Sequence, residues 1–158
     1  MKTLPEIRVK NAQRKTRLDL ERLQDFAERA FEACGRVRGA ELEPVLALPE
    51  ISVVLVSDRR MASLHHQFMK IVGPTDVLTF HHGEIVISVE TARENAREFG
   101  STVEDEIRLY LVHGFLHLLG FNDITARQSQ AMAEVQDRVL SALSTGDGGR
   151  FLRSRRLN

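Results

Sequence analysis

Long apolar runs are missing from this chain. The two longest, Ile51–Val56 and Leu109–Leu119, are too short to span a bilayer, and the second is interrupted by two histidines. No basic-then-apolar leader opens it, since Met1–Lys15 is polar and charged, so the expectation is a protein that is neither exported nor membrane-bound. Cysteine is nearly absent: Cys34 stands alone, which excludes an internal disulfide and fits a reducing, cytoplasmic setting. Its expected role is a small buried apolar side chain near a helix end. Net charge is also missing, at formal zero, so the molecule as a whole does not attract polyanions. Local excess exists all the same. Arg8, Lys10, Arg14, Lys15 and Arg17 cluster near the start, and Arg150, Arg153, Arg155 and Arg156 occupy the tail. Either group can touch phosphates or keep a solvated end soluble. Repeats and low-complexity blocks are lacking too.

What is present is a globular composition, 42% apolar and 28% charged over 158 residues, enough for one domain with a core. Ile7 and Val9 alternate with charged neighbours as in a half-exposed strand. From about Leu18 to Cys34 apolar residues recur at helical spacing, and Gly35 supplies a stop. Arg36–Glu50 holds two prolines and no sustained period, and reads as a connection. Ile51–Val56 is β-branched without alternation, the pattern of a central strand covered on both faces. Asp58 is placed to cap a helix over Arg59–Met69. Val77–Phe80 and Glu84–Val89, joined at His82-Gly83, form an expected hairpin. A charged helix follows over Glu90–Phe99, ending at Gly100. Ser101 and Glu104 have capping-box spacing for the next, which runs to Leu119 and stops at Gly120. A last helix covers about Ala126–Leu143, with Met132, Val135, Val139 and Leu143 inward, and Gly146–Gly149 releases a flexible basic tail. Strands and helices mix without strict alternation, so the expected class is α+β: one domain over residues 1–145, about four strands in a small mixed sheet packed with about five helices, then a tail over 146–158.

The chemistry lies in Tyr110–Asp123. His113 and His117, four residues apart on a helix, project from one face a single turn apart and can share an ion. Zinc takes nitrogen donors at about 2.0–2.1 Å, which two such imidazoles provide. Gly120 ends the helix with a sharp turn, after which Asp123 can return to the same ion as an oxygen ligand. Three protein ligands leave a tetrahedral position for water, as in catalytic rather than structural sites. The alternative is a pair of packed core histidines, but burying two imidazoles among Leu, Phe and Val requires two polar partners. The spacing His-x₃-His-x₂-Gly-x₂-Asp parallels that of extended zinc proteases, whose general-base Glu follows the first histidine. Here Gly114 stands in that place and cannot move a proton, which disfavours a protease. The ion can still lower its water's pKa toward about 7 and polarise a phosphoryl oxygen, and phosphodiester hydrolysis additionally calls for a nearby cation.

Read as a motif, His113-Gly114-x-Leu116-His117-Leu118-x-Gly120-Phe121 resembles the signature of the YbeY family of bacterial ribosomal RNA maturation endoribonucleases, His-Gly-x-Leu-His-Leu-x-Gly-Tyr-Asp-His. A second stretch, Pro74-Thr75-Asp76-Val77-Leu78-Thr79-Phe80 with Gly83-Glu84-Ile85-Val86-Ile87-Ser88, is similar to the family's Pro-Thr-Asp-Val-Leu-Ser-Phe and Gly-Asp-Ile-x-Ile-Ser. The matches run in family order from about Leu64 to Met132. The resemblance implies a compact α+β domain, one zinc ion and cleavage of single-stranded RNA. It also implies action in maturing the 3′ end of small-subunit ribosomal RNA and in ribosome quality control, with ribosomal RNA and the small subunit as partners and neither DNA nor membrane. Two departures stand out. Asp123 occupies the place of the family's third histidine ligand, and its negative charge makes the bound water less acidic than three histidines do. The family's phosphate-engaging arginine lies in a Tyr-Arg stretch, and Phe68-Met69 stands there. Lys70, Arg59 and Arg60 are the nearby cations. Lys70 is assigned to catalysis with His113 and His117, acting as a point charge rather than a fork.

His81 and His82 are expected as loop histidines with ligation as the lesser possibility, and His65 and His66 as surface or packing residues. Asp76 and Thr75 suffice as turn residues. Glu104, Asp105 and Glu106 favour a helix dipole and need no function. Three functions compete: a zinc-dependent endoribonuclease, a zinc-containing ribosome-associated binding protein with little catalysis, and a metal-dependent hydrolase of peptides or small molecules.

Overall fold

The computed structural model describes residues 3–144 and Leu157. Its elements run β1 (Glu6–Asn11), α1 (Leu20–Gly35), α2 (Glu43–Leu46), β2 (Glu50–Val56), α3 (Asp58–Met69), β3 (Val77–Phe80), β4 (Glu84–Ser88), α4 (Val89–Phe99), α5 (Val103–Leu118) and α6 (Ala126–Ser144). The four strands form one sheet in the order β1-β2-β4-β3. β1, β2 and β4 run parallel, and β3 pairs antiparallel with β4 as the expected hairpin. The fold is a single α+β domain with a small mixed sheet and six described helices. The sixth is α2, one turn inside the stretch read as a plain connection, with a proline near its start.

The sheet is covered on both faces because β2 and β4 are apolar at successive positions. Ile51, Val53, Leu55, Ile85 and Ile87 face the main core, which α1, α4, α5 and α6 complete. Val54, Val56, Val86, Leu78 and Phe80 face the other way, onto Met61 and Leu64 of α3. Cys34 is buried in the main core, and burial alone pushes its thiol up to about 12, so it is an inert packing residue as expected. Leu157 also reaches that core, whereas the glycine stretch and tail arginines lie outside the described residues. Near the N-terminus the cations are matched by acids: Arg8 and Lys10 meet Glu50, and Lys15 meets Glu90.

Two caps lie one residue from the expected positions. Ser57, not Asp58, accepts the amide hydrogen bond at the start of α3. The Asp58 carboxylate is taken instead by the hydroxyls of Ser88 and Thr91, while its backbone N–H donates to Glu90. The start of α3 is thereby tied to the β4–α4 junction. The capping box of α5 is Thr102 with Asp105 rather than Ser101 with Glu104. Ser101 donates to the carboxylate of buried Glu106, which also receives the Tyr110 hydroxyl. Glu106 is thus a structural residue of the buried interior, beyond its place in the first turn.

Helix α5 is buried nearly all round, and Gly114 sets how closely it approaches the sheet. A Cβ there would stand 2.9 Å from Ile85 Cδ1 and 3.0 Å from its Cγ2. A glutamate at this position, as in the zinc proteases, has no room, so the expected absence of a protease base has a packing cause. Replacing Gly114 with Ala should lower stability by about 1–3 kcal/mol through overpacking, despite alanine's better helix propensity. Adding Ile85→Val, which removes the clashing methyl, should recover part of that loss. Urea denaturation of both variants and of Ile85→Val alone tests this, and strictly additive losses would refute the contact.

Candidate metal centre

Helix α5 ends in a Schellman turn: Phe121 N–H bonds Leu116 O at 3.0 Å and Gly120 N–H bonds His117 O at 3.1 Å. Gly120 makes this possible with φ +94°, a conformation that strains any side chain. The turn aims the Phe121 carbonyl back at His117, whose Nδ1 lies 3.0 Å away. One turn earlier, His113 Nδ1 lies 2.6 Å from Gln136 Oε1, on α6. A carbonyl oxygen only accepts, so each Nδ1 carries the hydrogen and each neutral ring keeps its lone pair on Nε2.

Those two lone pairs face each other. His113 Nε2 and His117 Nε2 are 3.0 Å apart, and Asp123 Oδ2 lies 3.6 Å and 3.4 Å from them. Burial, and secondly the neighbouring His117, lower the His113 imidazole to about 4, so it is neutral at physiological pH. Three potential electron-pair donors thus converge on one point, an arrangement that a bound cation would satisfy. Donors held about 2.05 Å from a tetrahedral ion stand roughly 3.3 Å apart, in the middle of the observed separations. His113, His117 and Asp123 therefore fit a metal ion such as zinc, and they are the one metal-ligating cluster found among the described residues.

The cradle forms the floor of a cleft of about 630 Å³. One wall is the C-terminal half of α3 with the following loop, contributing His65, Phe68, Met69, Ile71 and Thr75. The other is the edge strand β3 with His81. Among the described residues no lysine or arginine lines it. Lys70 follows the wall residue Met69 and closes α3 in a left-handed conformation, with Nζ 3.5 Å from Gln67 O. Arg59 and Arg60 lie exposed in the first turn of α3, away from the cleft. His81 lines the cleft outside the ligand cluster, and His82 stacks on Phe80. His65 also lines it and points Nδ1 at Gly73 O, 2.9 Å away. Asp76 accepts from the Val77 amide and the Thr75 hydroxyl, as a turn residue does.

Gln136 escaped sequence reading. It is 1% exposed and stands on the buried stripe of α6 with Met132, Val135 and Val139. A polar residue at a core position of an amphipathic helix was the available signal.

A mixed sheet backing a buried helix with an open two-histidine, one-carboxylate cradle suits a metal-dependent hydrolase, the class to which the relatives belong. The family model described as Endoribonuclease YbeY matches residues 8–144, and the chain belongs to that family. Endoribonuclease YbeY of Aquifex aeolicus is 34% identical over 147 residues, covering 86% of this chain and 90% of that protein. The Heliobacterium modesticaldum protein of the same name is 33% identical over 138 residues, covering 74% and 81%. A Thermotoga maritima protein solved in solution superimposes with a TM-score of 0.62 at 28% identity, covering 89% and 90%.

Replacing Gln136 with Leu keeps the volume near His113 but frees the ring and its tautomer. Metal affinity should fall about 10–100-fold, the usual effect of losing such a partner. Competition titration with a chelating dye reads this, and unchanged affinity would remove Gln136 from the centre.

Proposed function

We propose that this chain is a zinc-dependent endoribonuclease that cuts single-stranded RNA in the cytoplasm. Its role is maturation of small-subunit ribosomal RNA at the 3′ end and ribosome quality control, with the small subunit as partner. Family membership and the names of the relatives support the reaction class. The observation that carries the centre is the convergence of His113 Nε2, His117 Nε2 and Asp123 Oδ2 within 3.6 Å. Imidazole nitrogens with one carboxylate oxygen suit zinc.

Zinc, when bound in such a cradle, supplies a water with pKa brought toward about 7 and a positive charge against a phosphoryl oxygen. The chain's own groups do the rest. Gln136 and the Phe121 carbonyl hold both rings with Nε2 turned to the cradle. Asp123 contributes negative charge, which tempers the acidity of that water relative to an all-histidine set. The mostly apolar walls limit the water around the floor, where His113 is the most buried of the three groups. Gly114 offers no base.

Lys70 is assigned the cation near the scissile phosphate, alongside His113 and His117 as the catalytic set. Its position at the end of α3, next to a wall residue, and its single long contact to its own helix support this. A lysine serves there as a mobile point charge. The second reading, a zinc-containing ribosome-associated binder with little catalysis, draws on the lack of lysine or arginine among the described residues that line the cleft.

Changing His113 or His117 to Ala should abolish both stoichiometric zinc, by elemental analysis, and cleavage of single-stranded RNA. Parent-rate cleavage by purified His117→Ala would sink the mechanism. Metal-loaded parent protein that sediments with small subunits yet leaves RNA intact would select the second reading. Lys70→Gln should raise KM for RNA and reduce the slope of log K against log salt by about 0.7, one phosphate contact on a single strand. An unchanged slope would remove Lys70 from the site.

A further inference from the structure

Among the described residues no lysine or arginine lines this cleft, and Lys70 stands just outside the lining, so contacts other than backbone charge must help to hold a strand there. The lining is instead apolar and partly aromatic. Phe68 and Phe80 meet edge to face with ring centroids 5.1 Å apart and an interplanar angle of 70°. His82 lies over Phe80 nearly parallel, at 5.6 Å and 23°. Phe80 is anchored in the small core under α3, which fixes the group to the sheet. Phe68 is 54% exposed at the lip, beside Met69 at 55%. Phe68 and Met69 together expose an apolar patch on the cleft wall, the kind of surface that marks a ligand-binding groove. An aliphatic ligand would use such a wall but not its ring geometry. A nucleobase uses both, by stacking a flat π-face on a ring, and stacking needs no cation. Base faces are hidden inside a duplex and accessible in a single strand.

We propose that Phe68, backed by Phe80 and His82, is a stacking subsite for one unpaired nucleobase beside the phosphodiester that reaches the metal cradle. The inference rests on the endoribonuclease reading and adds to it the group that is recognised and the physical reason why a single strand is chosen.

The test uses a short fluorescein-labelled single-stranded oligoribonucleotide and copies each carrying one abasic position. Anisotropy measures binding and metal-loaded protein measures cleavage. For the parent, one abasic position next to the cut should weaken binding by on the order of ten- to a hundredfold. Phe68→Leu should weaken the intact strand by a similar factor and become indifferent to that abasic position, while Phe68→Trp restores both. Phe68 is exposed, so these changes leave the core untouched. If Phe68→Leu binds and cuts the intact strand within about twofold of the parent, the subsite is refuted and the nuclease stands. If the parent binds without cutting, the nuclease reading fails while the abasic comparison still decides the subsite. A parent that binds no strand refutes both.

Discussion

Three electron-pair donors held within 3.6 Å of one another is an arrangement that a protein must enforce. Left free, His113 and His117 would rotate apart or share a proton, and Asp123 would turn to water. Enforcement comes from behind each ring. Gln136 on α6 takes the Nδ1 hydrogen of His113, and the Phe121 carbonyl takes that of His117. The first requires α5 and α6 to pack side by side, and the second requires the helix to end in the glycine turn at Gly120. Helix packing and helix termination therefore both act on the tautomer of a ligand. Gly114 completes the arrangement by letting α5 sit close on Ile85, which fixes the depth of the cradle relative to β3 and β4.

How much of this was legible in the sequence follows from the range of each interaction. The His113–His117 pair was readable because four-residue spacing is a property of any helix, and Asp123 because Gly120 forces the chain to turn nearby. Gln136 was not, because its partner lies 23 residues away and meets it only through the docking of two helices. The caps show the same limit at short range. Asp58 and Ser101 were chemically fit for their expected roles, but hydroxyls from β4 and α4 claim the first and buried Glu106 claims the second. Ser57 and Thr102, each one residue away, do the capping instead. Strand order was also beyond reach, since pairing β2 with β4 across α3 and β3 depends on contacts that no local pattern encodes.

The cleft divides its chemistry by depth. His113, His117 and Asp123 gather at the floor, and the walls are mostly hydrocarbon and ring faces, with Thr75, Thr79, His65 and His81 among them. Lys70 stands outside this lining, held by an unusual backbone conformation for a residue with a side chain. Met69 inside and Lys70 outside thus separate apolar contact from charge at a single step of the chain.

The clamp on Asp58 gives that wall a mechanical character. Helix α3 is fastened at its first turn by Ser88, Thr91 and Glu90, and past Met61 none of its residues is fully buried. Its far end is held more lightly, by the Phe68–Phe80 ring contact and by His65 on the Gly73 carbonyl, and places Phe68 and Met69 on the cleft wall. The ligands stand on a different footing, locked between α5 and α6. Loosening the far end of α3 would therefore change the width of the cleft and leave the spacing of His113, His117 and Asp123 as it is.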